Sequence, residues 1–427
     1  MIIGIVALLV FLLLGMPVAF ALGASGMLGL LTTQDLQVTL GIFMTAPYRS
    51  VASYSLITIP LFVLMAELLN QSGLAKQAYV AAYKWIGQLP GGLAIATILG
   101  GAIFGACSGS STASCATFGA IAVPEMRKYE YDDELSTGTI SIAGTLAALI
   151  PPSILMVVYG VQTETSIGKL LIAGVLPGLL MTVLYSLAIF LMVKRKPELG
   201  PAIPAFPLKE RWQSLFSIWP LVVIGGLVLA CLYTGITTPT EAAAFGAVGT
   251  YIMGLITRTL DIERTIKALK STVSTTAMCF GLIIGAAIFT YFLTATGATQ
   301  EFIAAVSSWD VSRWVILLMV IVIYIFLGMF LPSMGTMLLT VPTIGPLLFG
   351  LGYDPIWFGV LLVMLLEVGL CTPPVGLNCF VTSGVSGVPL AKVFKGTLPL
   401  LIVAILGLLL VIVFPQIIMY FPNMMSQ

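Results

Sequence analysis

Two segments of the sequence place small polar residues inside otherwise apolar stretches. The first is Ser108 to Ser114 within GGLAIATILGGAIFGACSGSSTASCATFGAIAVPEM, and the second is LPSMGTMLLT, with Ser333 and Thr336. Apolar arms of about 13 residues, ~20 Å of helix, would bring such a centre to mid-membrane and back. We therefore predict re-entrant hairpins at residues 91–122 and 313–350, with these polar residues at their tips. Close packing of helices through small residues is the alternative.

Paired prolines interrupt two further apolar segments. Pro151 and Pro152 lie in GTLAALIPPS, and Pro373 and Pro374 lie in CTPPVGLN. Because proline lacks the amide hydrogen and collides with the preceding turn, each helix must break there. A broken helix offers carbonyl oxygens to cations and positive N-terminal ends to carboxylates. We predict broken helices at residues 137–160 and 355–383, and we expect both breaks and both tips to converge at mid-membrane.

A constant spacing relates the two sets of residues. Ser333 follows Ser111 by 222 positions. The same interval relates Pro17 to Pro239, Pro124 to Pro346, Pro151 to Pro373, Pro152 to Pro374, Pro177 to Pro399, and Tyr131-Asp132 to Tyr353-Asp354. The spacing predicts two copies of one unit, residues 1–205 and 219–427, joined by a cytoplasmic connector at 206–218. Internal duplication of this kind is typical of secondary transporters.

The elements that position these residues must lie in a membrane. Of 427 residues, 59% are hydrophobic and 8% are charged, whereas a soluble domain has roughly 25% charged residues. The net charge of +1 offers no basic face for nucleic acid. Beside the hairpins and broken helices, spans are predicted at 50–70, 168–193, 273–297 and 396–421, with an out-and-back pair turning near GITTPTE. Residues 1–31 lack the features of a cleaved signal and form either one tilted span or two short ones.

The distribution of Lys and Arg gives the orientation, because these residues accumulate in cytoplasmic loops. With the clusters Lys194 to Arg211 and Arg258 to Lys270 inside, only Arg49, Lys169 and Arg313 face outward. Basic loops of one copy then correspond to nearly uncharged loops of the other. We therefore predict an all-α polytopic membrane protein whose two copies are inserted in opposite orientations.

The runs GGLAIATILGGAIFGACSGSSTA, LIPPS, GVLPGLL, TPTEAAAFG, GYDPIWFGV and EVGLCTPPVGLNCFV resemble the large permease subunit of tripartite ATP-independent periplasmic (TRAP) transporters. The resemblance implies an elevator-type importer of an organic acid in the bacterial inner membrane, driven by two or more sodium ions. It also implies two partners, a small four-helix membrane subunit and a soluble periplasmic substrate-binding protein.

One position departs from the pattern of that family. The family usually carries an acidic residue after a GMF-type motif, but here GMF is followed by Leu331, Pro332 and Ser333. This departure leaves the substrate class open between a dicarboxylate, a keto acid and a sialic-acid-like sugar acid.

Hydroxyl and backbone oxygens are the ligands that hard cations prefer. On the resemblance, we expect one sodium ion at each tip and its break. The first set of candidate ligands is Ser108, Gly109, Ser110, Ser111, Thr112, Thr145 and Pro151, and the second is Ser333, Gly335, Thr336, Thr372, Pro373 and Gly376. The candidates for substrate contact are Ser153, Asn378, Glu367 and Arg49.

Ionisable residues in apolar segments carry alternatives. Glu367, six residues before the second proline pair, would touch an ion or hydrogen-bond a neighbouring helix. Glu241 is expected in the first turn of a helix, beside the positive end of its dipole. Glu67 is expected to be solvated at the cytoplasmic end of its span. Arg49 would meet an anionic substrate or dock a partner protein.

Other functional classes fit the sequence less well. The chain has no histidine, so zinc and serine chemistry of intramembrane proteases is excluded. Aspartyl intramembrane proteases need a GxGD motif that is absent. A channel is disfavoured because inverted repeats with two re-entrant tips suit alternating access. The remaining alternative is an ion-coupled organic anion symporter or antiporter of similar fold that needs no binding protein.

Overall fold

The computed structural model describes residues 2–309 and 311–425, apart from the side chains of Ala106 and Cys107. Within these ranges every regular element is a helix, so the all-α prediction is confirmed. The first helices are α1 (Ile2–Leu13), α2 (Val18–Leu31), α3 (Leu36–Val51), α4 (Thr58–Gln71), α5 (Leu74–Ile86), α6 (Gly92–Ser108), α7 (Ser111–Lys128), α8 (Asp133–Leu149), α9 (Ile154–Gln162), α10 (Ile167–Ala173) and α11 (Val175–Arg195). They are followed by α12 (Leu208–Ser217), α13 (Trp219–Thr234), α14 (Pro239–Ile256), α15 (Ile262–Ala295), α16 (Ala298–Ser307), α17 (Arg313–Phe330), α18 (Ser333–Gly350), α19 (Pro355–Cys371), α20 (Leu377–Ser386), α21 (Leu390–Val413) and α22 (Gln416–Met424).

Many of these helices have the length and apolar composition of membrane spans. In the described residues six qualify alone, namely Tyr54–Gln71, Ile167–Arg195, Ile262–Ala295, Arg313–Phe330, Ser333–Gly350 and Leu390–Val413. Two bent pairs would raise the number to eight, α8 with α9 at 43° and α12 with α13 at 48°. The first of these bends lies at Pro151 and Pro152, where the sequence predicts a break.

Both polar segments lie where one helix ends and the next begins. The first tip, Gly109 and Ser110 with Ser111 at the start of α7, joins α6 to α7, and the second, Leu331 and Pro332 with Ser333 at the start of α18, joins α17 to α18. The predicted boundary at residue 122 is wrong, because α7 continues to Lys128. Basic residues in its last turn favour this extension, since they complement the negative end of the helix dipole.

The long helix α15 also begins earlier than predicted. It starts at Ile262 and not near residue 273. Asp261 caps it by accepting a hydrogen bond from the Arg264 amide across 2.8 Å, and Glu263 pairs with Lys267 across 2.8 Å. These local interactions stabilise the charged first part of the helix. That part has no apolar pattern, so the sequence does not predict its helical start.

The helix boundaries repeat the 222-residue interval. Both ends of α18 follow those of α7 by 222 positions, and the same holds for α19 and α8. Asp132 and Asp354 are the N-caps of α8 and α19, and each Oδ1 accepts two backbone amides of the first turn. Tyr131 and Tyr353, which precede them, hydrogen-bond to the start of α6 and α17. The opposite orientation of the two copies stays a prediction.

These caps give a testable stability effect. Asp132→Ala and Asp354→Ala should each cost ~1 kcal/mol, because two amides per helix lose their acceptor. The melting temperature in one detergent measures this loss. Asp133→Ala is the matched control, since its exposed ion pair with Arg127 is expected to contribute little. A control variant that melts as early as the cap variants would contradict the capping role.

Residues 2–31 form two short helices and not one tilted span. Gly15, with φ +78°, ends the first segment, and Pro17 precedes α2. A Cβ on Gly4 would lie 3.2 Å from Gly29 Cα, so α1 and α2 run antiparallel in contact. The turn at Gly15 and Pro17 therefore folds the segment back on itself.

Helices α2, α4, α13, α14 and α15 form a frame. The helices that carry the tips and breaks, α6 to α9 and α17 to α20, form a central body that contacts it. In the frame, α15 packs against α2 and α4, and α13 packs against α14. The turn between α13 and α14 falls at the predicted GITTPTE, where Glu241 Oε2 accepts the Thr238 amide across 2.7 Å in a capping box. The prediction for Glu241 is confirmed.

Within the central body, α8 and α19 are buried over most of their length. Small residues let neighbouring helices approach α8 closely. A Cβ on Gly105 would lie 2.7 Å from Ala147 Cα, and a Cβ on Gly138 would overlap the backbone of Gly396 in α21. Because these glycines have no side chain, the helix backbones come into contact. Such contacts hold apolar helices together in a membrane, where no hydrophobic driving force acts between them.

The connector at 206–218 contains a helix, α12. Trp85 Nε1 of α5 donates to the Arg211 carbonyl across 3.1 Å, and Lys84 pairs with Glu210 across 3.3 Å. The rings of Trp85 and Trp212 also meet edge to face. The connector is thus fixed on α5 and is not a loose linker.

Candidate ion and substrate site between the hairpin tips

A cavity of about 140 Å³ lies between the two tips. Its lining comes from both tips, both broken helices and α15. These residues are Gly109, Ser110, Ser111, Thr112, Ile154, Leu155, Thr275, Met278, Cys279, Pro332, Ser333, Met334, Leu370 and Leu377. The four elements that the sequence expects to converge therefore surround one space.

Four helices begin at this cavity. Ser111 starts α7, Ile154 starts α9, Ser333 starts α18 and Leu377 starts α20. The first amides of a helix have no partner inside the helix and carry partial positive charge. Since no Lys or Arg is among the lining residues that the structure describes, these helix ends and the hydroxyls are the groups there that suit an anion.

Glu367 lies behind the tips, fully buried. Ser111 Oγ donates to Glu367 Oε1 across 3.0 Å, and Ser333 Oγ donates to the same oxygen across 3.5 Å. Of the two roles considered for this residue, the structure thus shows hydrogen bonds to neighbouring helices. These bonds join the two tips through one carboxylate of α19.

Glu367 also lines a separate small cavity. Within the described part of the chain, Glu367 Oε2 has no hydrogen-bond partner. The cavity of about 10 Å³ is lined by Thr145, Tyr185 and apolar residues beside Glu367. Its volume suits about one water molecule. Thr145 donates to the Ile142 carbonyl across 2.7 Å, so its lone pairs remain free to accept.

The first set of candidate ligands clusters at the first tip. Ser108 Oγ lies 3.0 Å from Ser114 Oγ, and Ser110 caps α7. Gly109 has φ +60°, and a Cβ there would lie 2.9 Å from the Pro152 carbonyl oxygen. The tip therefore rests on the buried break of α8 and α9, where Pro151 also lies.

The second set is more dispersed. Ser333 lines the tip cavity, but Gly335 faces α2, where a Cβ on Gly335 would lie 3.0 Å from Val18 Cγ1. Thr336 donates to the Pro332 carbonyl across 3.3 Å. At the break, Thr372 donates to the Val368 carbonyl, Gly376 adopts φ +55°, and Pro373 is exposed. The second break is thus open where the first is buried.

None of the four substrate candidates lines the tip cavity in the described structure. Ser153 is a buried N-cap of α9, and Asn378 Nδ2 donates weakly to Cys371 Sγ at 3.7 Å. Arg49 is exposed at the end of α3. Together with the position of Glu367 behind the tips, this places all four outside the wall of the cavity.

The sequence reasoning missed several residues of the site. Thr275 of α15 and Tyr185 of α11 carried no signal, since neither lies near a proline pair or a predicted tip. Glu67, expected to be solvated, is half-buried and shares a cavity of about 70 Å³ with Asn70, Ser108, Ser110 and Thr275. The spacing of Glu67 and Asn70 by three positions, which puts both on one helix face, was the signal available.

The oxygen atoms at the tips are of the kind that binds a hard cation such as sodium. They are neutral hydroxyl and backbone oxygens, and two buried acceptors nearby, Glu367 Oε2 and Asn378 Oδ1, have no donor among the described residues. Across those residues no cluster of three or more His, Cys, Asp or Glu forms a transition-metal site. These oxygens would bind sodium without a dense cluster of fixed charge.

Comparisons with known proteins agree with this architecture. The family described as "Tripartite ATP-independent periplasmic transporter, DctM component" matches residues 5–417. The chain is 37% identical over 88% of its length to the C4-dicarboxylate TRAP transporter large permease protein DctM of Pseudomonas aeruginosa, covering 87% of that protein. It is 31% identical over 96% of its length to the sialic acid TRAP transporter large permease protein SiaM of Vibrio cholerae, covering 95% of it.

A solved structure supports the fold. The YdaH transporter of Alcanivorax borkumensis superposes with a TM-score of 0.60, 15% identity and coverage of 90% of each chain. The predicted family and the prediction of a transporter without enzymatic activity are confirmed by the named relatives. The chain belongs to the DctM family, the large permease component of tripartite ATP-independent periplasmic transporters, and is a multi-pass membrane protein.

Proposed function

We propose that this permease imports a small organic acid across the bacterial inner membrane, driven by sodium ions. The observation that carries the proposal is the cavity between the tips, where four helix N-termini and several hydroxyls meet. Helix N-termini bind carboxylates, and hydroxyl and carbonyl oxygens bind sodium. An acid and its coupling ions would thus occupy neighbouring positions on the same two tips.

The lining of the cavity also bears on the substrate. Ser110, Thr112 and Thr275 contribute hydroxyls to the lining, and Met278 and Met334 contribute apolar surface. A substrate with a carboxylate and a short carbon chain fits this mixed lining. The relatives are named for C4-dicarboxylates and for sialic acid, which are both acids. A dicarboxylate, a keto acid and a sugar acid remain the candidate classes.

Transport would follow an elevator motion of the central body relative to the frame, with two copies inserted in opposite orientations. Thr275, Met278 and Cys279 of α15 line the tip cavity, so the frame forms part of its wall. This supports the proposal, because a central body that moves past the frame would carry the tips away from these residues. The partners would be a small four-helix membrane subunit and a periplasmic protein that delivers the substrate, in keeping with the tripartite family.

Reconstitution in liposomes tests the proposed function. The permease and its small subunit are assayed for uptake of labelled C4-dicarboxylate, keto acid or sialic acid, with and without an inward sodium gradient and the binding protein. We expect uptake of one of these acids only when the sodium gradient and the binding protein are both present. Uptake that needs the sodium gradient but not the binding protein would support the symporter or antiporter of similar fold. Uptake that is indifferent to the sodium gradient would reject the sodium coupling.

Two single substitutions test the sodium sites. Ser111→Ala and Thr372→Ala should raise the sodium concentration for half-maximal uptake about fivefold, since each removes one oxygen ligand worth ~1 kcal/mol. Expression should not change. Thr250→Ala is the matched control, because Thr250 makes the same bond to its own helix in α14. If both variants keep the wild-type sodium response, the assignment of these ligands is wrong.

A further inference from the structure

Glu367 contacts both hairpin tips although it belongs to neither. Its Oε1 accepts the hydroxyl of Ser111 from α7 and, at a longer distance, that of Ser333 from α18. These two serines occupy equivalent positions in the 222-residue repeat. A displacement of one tip therefore changes the hydrogen bond that the other tip makes.

The repeat itself does not require this arrangement. The position equivalent to Glu367 in the first copy is Thr145. Thr145 donates to its own helix at the Ile142 carbonyl and does not contact either tip serine through a hydrogen bond. One copy thus supplies a carboxylate that serves both tips, and the other supplies a neutral residue beside it in the small cavity.

In the described structure, the hydrogen-bond partners of this carboxylate are the two tip serines. The polar groups that face it are Ser111, Ser333, Thr145, Tyr185 and Asn378, and no Lys or Arg lines either cavity in the described ranges. Nor does Oε2 have a hydrogen-bond partner there.

A hydroxyl that binds a cation uses an oxygen lone pair and must donate its proton elsewhere. Glu367 Oε1 is the acceptor for that proton at both tips. Resting on the sodium-dependent function proposed above, we propose that Glu367 is a positioning residue that couples ion binding at the two tips. An ion at Ser111 polarises its hydroxyl and strengthens the hydrogen bond to Oε1. The carboxylate is then held in the position where it accepts the hydroxyl of Ser333. The reverse also holds, because coupling between two sites is reciprocal.

Sodium titration of the purified full-length protein tests this coupling. Tryptophan fluorescence is followed as sodium replaces choline at constant ionic strength. The wild type should bind with a Hill coefficient above one. Glu367→Met keeps the approximate size but removes the oxygen that accepts both serine hydroxyls, and should raise the midpoint about 10- to 100-fold and bring the Hill coefficient to about one. Glu301→Gln, on an exposed face of α16, is the control and should titrate as the wild type does.

A second measurement covers the case in which Glu367→Met does not fold. Ser111→Ala, Ser333→Ala and the double variant are melted in choline without sodium. Because both hydroxyls share Oε1, we expect their effects on melting temperature to be non-additive. Additive effects, or a Hill coefficient that stays above one in Glu367→Met, would overturn the coupling. A wild type without any sodium response would instead reject the sodium function itself and the ion part of this inference, while the serine cycle still reports the link between tips.

Discussion

Gly109→Ala should reduce sodium-driven uptake about 100-fold while leaving the protein folded. Gly109 adopts φ +60°, and an added Cβ would lie 2.9 Å from the Pro152 carbonyl oxygen. The left-handed backbone costs an alanine ~1 kcal/mol or more. The contact with a backbone oxygen that cannot rotate away adds ~2 kcal/mol, and the sum of ~3 kcal/mol corresponds to about 100-fold in the occupancy of the native tip.

Gly297→Ala is the matched control for this prediction. Gly297 has a similar φ of +69°, but a Cβ there would meet no described atom within 4 Å. An alanine at position 297 therefore has the strain of the left-handed backbone but no close contact. Uptake by both variants is compared in the same liposomes, at equal amounts of monodisperse protein. Equal losses in the two variants would show that the contact between the first tip and the first break does not matter for transport.

Gly396→Ala should have the largest effect on stability. A Cβ on Gly396 would overlap the backbone of Glu134 in α8, and Gly138 one turn further along faces Gly396 in the same way. Neither helix can yield through a side chain, so α8 and α21 must separate. Overpacking of this kind costs about 3 kcal/mol or more, and it displaces the helix that carries the first break.

The yield of monodisperse protein and its melting temperature measure this effect. Gly249→Ala in α14 is the control, because a Cβ there would meet no atom of the described residues within 4 Å. Alanine in the interior of a helix is more stable than glycine by roughly 0.5 to 1 kcal/mol, so the control should melt slightly later than the wild type. A Gly396 variant that melts with the wild type would mean that the crossing of α8 and α21 is looser than the structure shows.

Local chemistry made a large part of the architecture predictable. Serines between two apolar arms and paired prolines inside apolar segments each act on their own neighbours, so Ser111 and Pro151 indicated a turn and a break without any knowledge of the fold. The 222-residue interval then transferred these features to Ser333 and Pro373. The apolar composition and the motifs gave the membrane class and the family, which the comparisons confirmed.

Predictions failed where the deciding contact was distant or where a charged helix has no apolar pattern. Glu67 was expected in solvent, because the sequence did not show that the first tip would cover it. The early start of α15 depends on Asp261 and a surface ion pair, which add little to hydropathy. Gly335 faces α2 and not the tip cavity, since that choice is made by packing between the frame and the second hairpin.

By itself, the sequence determined where helices break, where one helix gives way to the next and which oxygens stand there, because these follow from interactions within a few residues. Only the tertiary structure decided which of these groups meet. Ser111 and Glu367 are separated by 256 positions, and Ser333 reaches the same carboxylate from another helix. Contacts of this kind depend on how closely glycine-lined helices approach one another, and a pattern read along the chain carries no measure of that approach.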